Sequence, residues 1–214
     1  ISMKKILFLV GAVLTISTTS FAQTPVGQGN IIIDPYIGLP NWGNTLLYSQ
    51  YDGDNQSVTN YKLNGGVLSY GLRAEYLLAD NFGVGVDVNY EVSGFNYDYV
   101  GSVYDTVSMT YYDADYNYDY KAKKLRAMVR LNYHFVQNDR VDAYTGFGAG
   151  YKHVSRATTS NDPFFLEESG GALFPIAIRL AIGTRIYFTD NIGAHIELGA
   201  FGGGLLQFGL TAKF

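Results

Sequence analysis

The sequence predicts an all-β protein, an eight-stranded antiparallel up-and-down transmembrane β-barrel. Three observations favour this fold class. Apolar residues recur at every second position, charged residues keep to one of the two faces so defined, and three tight turns alternate with longer connections. Because side chains alternate between the two sides of a strand, this pattern indicates strands with one apolar and one polar face.

The first four strands are predicted at Ile31–Pro40, Gly66–Leu78, Phe82–Ser93 and Lys124–Val136. The third has the most regular alternation, since its even positions are apolar or aromatic and its odd positions are Gly, Asp, Asn, Glu or Ser. The second and fourth strands follow the same rule, with Arg73, Glu75, Arg126 and Arg130 on their polar faces. The first strand sets Asp34 against Ile33 and Pro35.

The last four strands are predicted at Val141–His153, Pro175–Phe188, Ile192–Phe201 and Leu205–Phe214. Their polar faces carry Asp142, Arg179, Arg185 and Glu197. Asn and Asp tolerate tight turns, and they occur together at Asp80-Asn81, Asn138-Asp139 and Asp190-Asn191. The long connections are predicted at about 41–65, 94–122 and 154–174, so both chain ends lie on the side of the short turns.

The distribution of charge favours a membrane barrel over a soluble ligand-binding barrel, which would need a wetted exterior. Within the predicted strands the apolar faces carry no Asp, Glu, Lys or Arg, whereas one Arg or Lys on a lipid face costs about 2–4 kcal/mol. The polar faces are expected to form an ionic network inside the barrel, because acids and bases nearly balance there. Its predicted members are Asp34, Arg73, Glu75, Asp87, Glu91, Arg126, Arg130, Asp142, Arg179, Arg185 and Glu197.

Residues 1–22 are expected to form a signal peptide that is removed, leaving 23–214 as one outer-membrane β-barrel domain. Lys4 and Lys5 precede an apolar run from Ile6 to Ile16, and Ser20-Phe21-Ala22 is typical of a cleavage site. The chain has no Cys, so no disulfide or thiolate metal site is possible. No cofactor or metal site is predicted. No nucleic-acid partner is predicted either, since the formal charge is −4 and no run of Lys and Arg could follow a polyanion.

The signal peptide, the three turns, the alternation and the terminal Phe214 together resemble the outer-membrane protein β-barrel family, of the small OmpX/OmpA type. The resemblance covers the whole chain after residue 22. It implies location in the outer membrane of a Gram-negative cell, contact with outer-membrane lipid and lipopolysaccharide, and assembly by the barrel-assembly machinery through the strand that ends at Phe214. It implies no particular activity, and a non-enzymatic role in envelope integrity or adhesion is expected.

An enzyme is the first alternative. His153, Ser155 and Glu167 resemble the catalytic set of the lipid A 3-O-deacylases, in which Ser is the nucleophile, His the base and Glu the group that orients it. Two departures weaken the likeness. Here the His-x-Ser lies on the fifth strand rather than the penultimate one, and Arg156-Ala157 follows where that family has Asn-Ala-Gly.

Surface recognition and small-ligand passage are the other functions considered. The 94–122 loop interleaves Tyr with Asp, and its partial alternation predicts a hairpin that protrudes beyond the membrane. An extracellular partner is expected to contact its tyrosines, chiefly Tyr104, Tyr111, Tyr112, Tyr116 and Tyr118. Binding or transport of a small ligand is the second alternative, but the bulky charged lumen predicts negligible conductance.

Overall fold

The computed structural model describes residues 25–39, 58–63, 68–166, 168–172 and 174–214. Its strands are β1 (Ile31–Leu39), β2 (Val58–Leu63), β3 (Ser69–Ala79), β4 (Phe82–Asp105), β5 (Thr110–Gln137), β6 (Val141–Ser160), β7 (Glu168–Gly170), β8 (Ile176–Tyr187), β9 (Ile192–Ala200) and β10 (Leu206–Lys213). Within the described ranges no helix is long and apolar enough to cross a membrane. The predicted signal peptide lies outside the described residues.

Eight of these strands close into a ring. The order around the ring is β1, β3, β4, β5, β6, β8, β9 and β10, and every neighbouring pair is antiparallel. The first and last strands close the ring, since the backbone N–H groups of Ile31 and Phe214 each donate to the other residue's carbonyl at 2.9 Å. The predicted all-β, up-and-down barrel is therefore confirmed. The start of β1 and the end of β10 lie on the side of the three short turns.

The barrel is apolar outside and charged inside. The side chains of Arg73, Arg130, Arg179 and Arg185 are fully buried in the interior, whereas Val86 and Leu180 on the outside are about half exposed (52% and 51%). This distribution is the reverse of a water-soluble protein. It is stable where the exterior meets hydrocarbon, because exposing so much apolar surface to water is unfavourable.

Three strands are longer than the alternation predicted. β4 continues from Ser93 to Asp105, β5 begins at Thr110 instead of Lys124, and β6 continues from His153 to Ser160. Their pairing continues without interruption to Asp105 opposite Thr110, so most of the predicted 94–122 connection is an antiparallel hairpin. The short strands β2 and β7 were not predicted; they pair with the outer parts of β4 and β6.

Candidate functional site

The lumen is built around two complementary charge clusters. In the first, the carboxylate of Glu197 accepts hydrogen bonds from Arg130 (3.1 and 2.9 Å) and from Arg179 Nε (2.9 Å). Arg73 Nη1 lies 2.9 Å from the same carboxylate, and the Tyr144 hydroxyl donates to it at 2.9 Å. One acid is thus surrounded by three guanidinium groups.

The second cluster has the opposite composition, with one guanidinium among three acids. Arg185 donates to Asp34 (2.9 Å), Glu75 (2.7 Å) and Asp142 (2.9 Å). The His134 ring bridges two of these carboxylates, with Nδ1 2.7 Å from Asp142 and Nε2 2.9 Å from Glu75. The first cluster has an excess of guanidinium groups and the second an excess of carboxylates, so the net charge of the two clusters together is close to zero.

Arg73 Nη1 lies 3.6 Å from Asp34 and so joins the two clusters, and further pairs extend the network toward the end of the barrel that carries the long hairpin. Asp87 lies between Arg73 (3.5 Å) and Arg130 (3.2 Å) and accepts a hydrogen bond from the Tyr36 hydroxyl (2.6 Å). Nearer the mouth, Glu91 pairs with Arg126 and with Lys124, both at 3.0 Å. The structure places every residue of the predicted ionic network inside the barrel: Asp34, Arg73, Glu75, Asp87, Glu91, Arg126, Arg130, Asp142, Arg179, Arg185 and Glu197.

Apolar side chains that the sequence pattern did not predict fill the mouth on the side of the short turns, which is the periplasmic side in outer-membrane barrels. Val26, Ile32, Leu77 and Tyr187 form one buried cluster, and the first three are completely inaccessible. The segment that precedes β1 is held in place by Gly29 N–H, which donates to the Leu77 carbonyl at 2.9 Å. Val26 directly follows Pro25 and is the single apolar residue in a segment without periodicity, so the sequence pattern carries no signal of this role.

The turn between β9 and β10 covers part of the extracellular mouth. Its carbonyl groups point toward lumenal donors: Arg179 Nη1 donates to Phe201 (3.1 Å) and Gly204 (3.2 Å), and Asn89 Nδ2 donates to Gly202 (3.2 Å). Gly202 and Gly203 have φ of 55° and 138°, a backbone region that favours glycine. The lumen is thus filled by apolar side chains at one end and partly covered by backbone at the other.

The β4–β5 hairpin beyond the barrel has two chemically different faces. Positions that continue the lumenal face carry a stack of aromatic rings, in which Phe95 lies 5.2 Å from Tyr120 and Tyr97 lies 5.2 Å from Tyr118 between ring centroids. Positions that continue the lipid face carry the acids, and there Asp98 accepts hydrogen bonds from Asn117 and Asn60, both at 2.8 Å. These contacts order the hairpin from its base to the middle.

The structure separates the predicted tyrosines by face. Tyr112, Tyr116 and Tyr118 share the aromatic face, and the Tyr118 hydroxyl donates to Asp162 at 2.9 Å. Tyr104 and Tyr111 are cross-strand partners on the acidic face near the tip, with ring centroids 5.0 Å apart. Beside the aromatic face lies a cleft of about 420 Å³, lined by Tyr99, Gly101, Ser102, Val103, Tyr104, Tyr116, Asp162 and Phe164.

Of the predicted His153, Ser155 and Glu167 set, the structure describes His153 and Ser155. His153 and Ser155 are exposed, outward-facing positions two residues apart on β6. A strand advances about 3.3 Å per residue, so their Cα atoms are separated by about 6.6 Å, and both side chains lie beside β5 residues Leu125 and Lys123. Glu167 lies outside the described residues.

Neither a protein-family model nor a curated protein sequence matches the chain. Three solved structures illustrate its similarities. The N-terminal barrel domain of Pseudomonas aeruginosa OprF is 14% identical, with 88% of this chain and 99% of that chain covered and a TM-score of 0.45. OprG from P. aeruginosa is 13% identical (90% and 99% covered, TM-score 0.49), and the Yersinia pestis attachment invasion locus protein Ail is 15% identical (88% and 99% covered, TM-score 0.41). On its own strand ring, apolar exterior and ionic interior, the chain has the fold of a small outer-membrane β-barrel of the OmpA/OmpX type.

Proposed function

We propose that this protein is a non-enzymatic barrel of the Gram-negative outer membrane that contacts partners outside the cell through its β4–β5 hairpin. The single observation that carries the proposal is a hairpin that stays paired far beyond a barrel whose lumen is filled by side chains. The barrel serves as the anchor, and the hairpin serves as the contact element.

The side chains that fill the lumen argue against a role in the passage of ions or small molecules. Its charged side chains are paired at 2.7–3.2 Å in both clusters, and the apolar cluster around Val26 fills the periplasmic end. An ion that crossed would have to break several buried pairs, each of which is expensive to break. The proposal therefore includes negligible conductance in planar bilayers, and steady open-channel currents would contradict it.

The hairpin has the properties of a contact surface. From Ser93 to Asp105 it extends on the order of 40 Å at 3.3 Å per residue. Near its tip Tyr104, Tyr111 and Tyr112 are 47%, 73% and 54% exposed. Tyrosine offers a large amphipathic contact area with little loss of side-chain entropy, and a paired hairpin presents it without first having to fold.

A trimmed hairpin tests this function. Residues 101–114 are removed and Val100 is joined to Asp115, its cross-strand partner, by Asn-Gly, which forms a two-residue hairpin turn. We expect cells that display the trimmed protein to lose adhesion to host cells or extracellular matrix. A Tyr104→Ser, Tyr111→Ser double variant keeps the full length and separates the tyrosine contribution from the reach of the hairpin.

The barrel must remain intact in these variants. Outer-membrane fractionation and the difference in gel migration between boiled and unboiled samples report this. Adhesion equal to that of the full chain, in a trimmed protein that is correctly inserted, would refute the contact role.

A further inference from the structure

The extracellular ends of β5 and β6 carry cations on the face that elsewhere meets lipid. Lys123 and Lys121 occupy outward positions of β5, in register with Ser155 and Ala157 on β6, and His153 follows opposite Leu125. Lys121, Lys123, His153 and Ser155 are all exposed. Among the described residues of the eight barrel strands, Lys121 and Lys123 are the only Lys or Arg on the outward face.

The height of this patch follows from the aromatic residues below it. Tyr70 and Tyr90 are cross-strand partners, both outward and exposed, and Tyr90 in turn lies opposite Leu125. Exposed tyrosines on a membrane barrel mark the boundary between hydrocarbon and headgroups. Lys123 is two residues farther from the barrel centre than Leu125, about 7 Å along the strand. With the strand tilt of about 40° that is typical of membrane barrels, this places Lys123 about 5 Å beyond that boundary, at the level of the lipid headgroups.

Lys124, the neighbour of Lys123 in sequence, belongs to the ionic network of the lumen, whereas Lys121 and Lys123 do not. Lys124 points into the barrel and pairs with Glu91 at 3.0 Å, whereas no ion pair to Lys123 occurs in the part of the chain that the structure describes. Lys121 Nζ lies 2.6 Å from an oxygen of Asp119, which shares the outward face and leaves the patch with one excess positive charge. The Ser155 hydroxyl and the His153 ring add hydrogen-bond donors beside it.

We propose that Lys121, Lys123, His153 and Ser155 bind a phosphate group of the anionic glycolipid of the outer leaflet, namely a lipid A phosphate of lipopolysaccharide. The ammonium group of Lys123 supplies most of the attraction, and the acyl chains of the lipid lie along the apolar outward face below it. This inference depends on the outer-membrane location in the proposed function and is independent of the hairpin's contact role. It gives His153 and Ser155 a binding role in place of a catalytic one.

The test measures lipid binding by the full chain, folded in detergent, with native mass spectrometry or tryptophan fluorescence. The probes are bis-phosphorylated lipid A, the same lipid after enzymatic removal of its phosphates, and inorganic phosphate. We expect the phosphorylated lipid to bind tightest and the Lys121→Gln, Lys123→Gln double variant to lose about ten- to thirty-fold in affinity, since each Lys near an anionic surface contributes modestly. Lys123→Arg is expected to retain binding, because Arg also binds phosphate.

Arg140→Gln is the matched control, because it removes one positive charge from an exposed turn at the opposite, periplasmic end. Unchanged affinity in the double Lys variant, equal binding of the dephosphorylated lipid, or equally tight binding of inorganic phosphate would each overturn the proposal. A failure of the proposed location is seen separately, as a chain that does not insert into bilayers or does not change migration on boiling.

Discussion

Arg130 and Glu197 form a two-point pair in the lumen, with Nη1–Oε1 and Nη2–Oε2 distances of 3.1 and 2.9 Å. Both side chains are at most 1% exposed. This geometry orients the guanidinium and the carboxylate in one plane and leaves the remaining oxygen lone pairs of Glu197 for Arg73, Arg179 and Tyr144. Glu197 is therefore the one acid that pairs with all three guanidinium groups of the first cluster.

The first prediction concerns this acid. Glu197→Gln removes the negative charge shared by three buried guanidinium groups, and we expect it to lower the free energy of unfolding by about 3–5 kcal/mol. Urea unfolding in lipid vesicles, followed by gel migration, measures the change. Glu91→Gln is the control, because its partners Arg126 and Lys124 are 10% and 18% exposed and can reach water, so the loss should be smaller. Equal losses in the two variants would contradict the central role of Glu197.

The second prediction concerns a glycine under an aromatic ring. A Cβ atom at Gly183 would lie 2.6 Å from Cζ of Tyr144, whose hydroxyl also accepts a hydrogen bond from Arg73 at 3.0 Å. Gly183→Ala must displace this ring, and we expect a loss of about 1–3 kcal/mol. Gly148→Ala is the matched control, since its nearest new contact is longer, 3.3 Å to Cγ of Arg130, and requires a shift of only a few tenths of an ångström. The same unfolding assay decides, and a Gly183→Ala variant as stable as the control would show that the ring can move freely.

The third prediction concerns the periplasmic apolar cluster. Val26→Ala removes two buried methyl groups from a site that is completely inaccessible, and we expect a loss of about 1–2 kcal/mol. Val107, at the hairpin tip, is 91% exposed, so Val107→Ala should change stability by less than about 0.5 kcal/mol. If both variants unfold at the same urea concentration, the segment before β1 is not part of the folded barrel in solution.

The strands were predictable from the sequence because each face of the barrel meets a single environment. Val84, Val86 and Val88 meet only hydrocarbon and Asp87 and Asn89 meet only the lumen, so β4 keeps the period of two from Phe82 to Ser93. The same logic stops where the barrel leaves the membrane. Above Ser93 neither face meets lipid, so apolar and polar residues no longer alternate strictly. The partial alternation over 94–122 predicts a protruding hairpin, but it does not mark where the two strands end.

The contacts inside the lumen were less predictable. Parity put Tyr36 and Tyr144 on the polar faces, but their central positions depend on which strands lie across the barrel. Tyr144 of β6 reaches Glu197 of β9, and no local pattern encodes that distance. The apolar cluster depends likewise on Val26, outside every strand, and on Tyr187, which parity alone assigns to a polar environment.

The fourth prediction tests the lipid-facing exterior. Val86 lies on the outward face of β4 in the middle of the barrel wall, and Val86→Arg is expected to lower the free energy of unfolding from bilayers by about 2–4 kcal/mol. Val100→Arg places the same substitution on the same face of the same strand, beyond the barrel, where we expect a change below about 0.5 kcal/mol. Folding into phosphatidylcholine vesicles measures both. Equal tolerance of arginine at the two positions would contradict insertion in a membrane.

The fifth prediction concerns acid sensitivity of the hairpin. Hydrogen bonds from Asn117 and then from Asn60 hold the pKa of Asp98 below its usual value. A carboxyl group with a lowered pKa in the folded state stabilises that state above the unfolded pKa, near 4, and loses this contribution as the pH falls through the folded value. Asn60 belongs to β2 and Asp98 to β4, so acid should loosen β2 from the hairpin.

NMR titration of the Asp98 carboxyl carbon, together with the side-chain amide signals of Asn60, measures this effect. We expect the Asn60 amide to shift with the same midpoint as the Asp98 carboxyl, below pH 4. Asn117→Ala and Asn60→Ala should each raise that midpoint, because each removes one donor to the carboxylate. In Asp98→Asn the Asn60 amide should no longer respond to acid, since the group that titrates is gone. A midpoint that stays the same in both Asn117→Ala and Asn60→Ala would mean that the hydrogen bonds to Asp98 do not hold β2 against the hairpin.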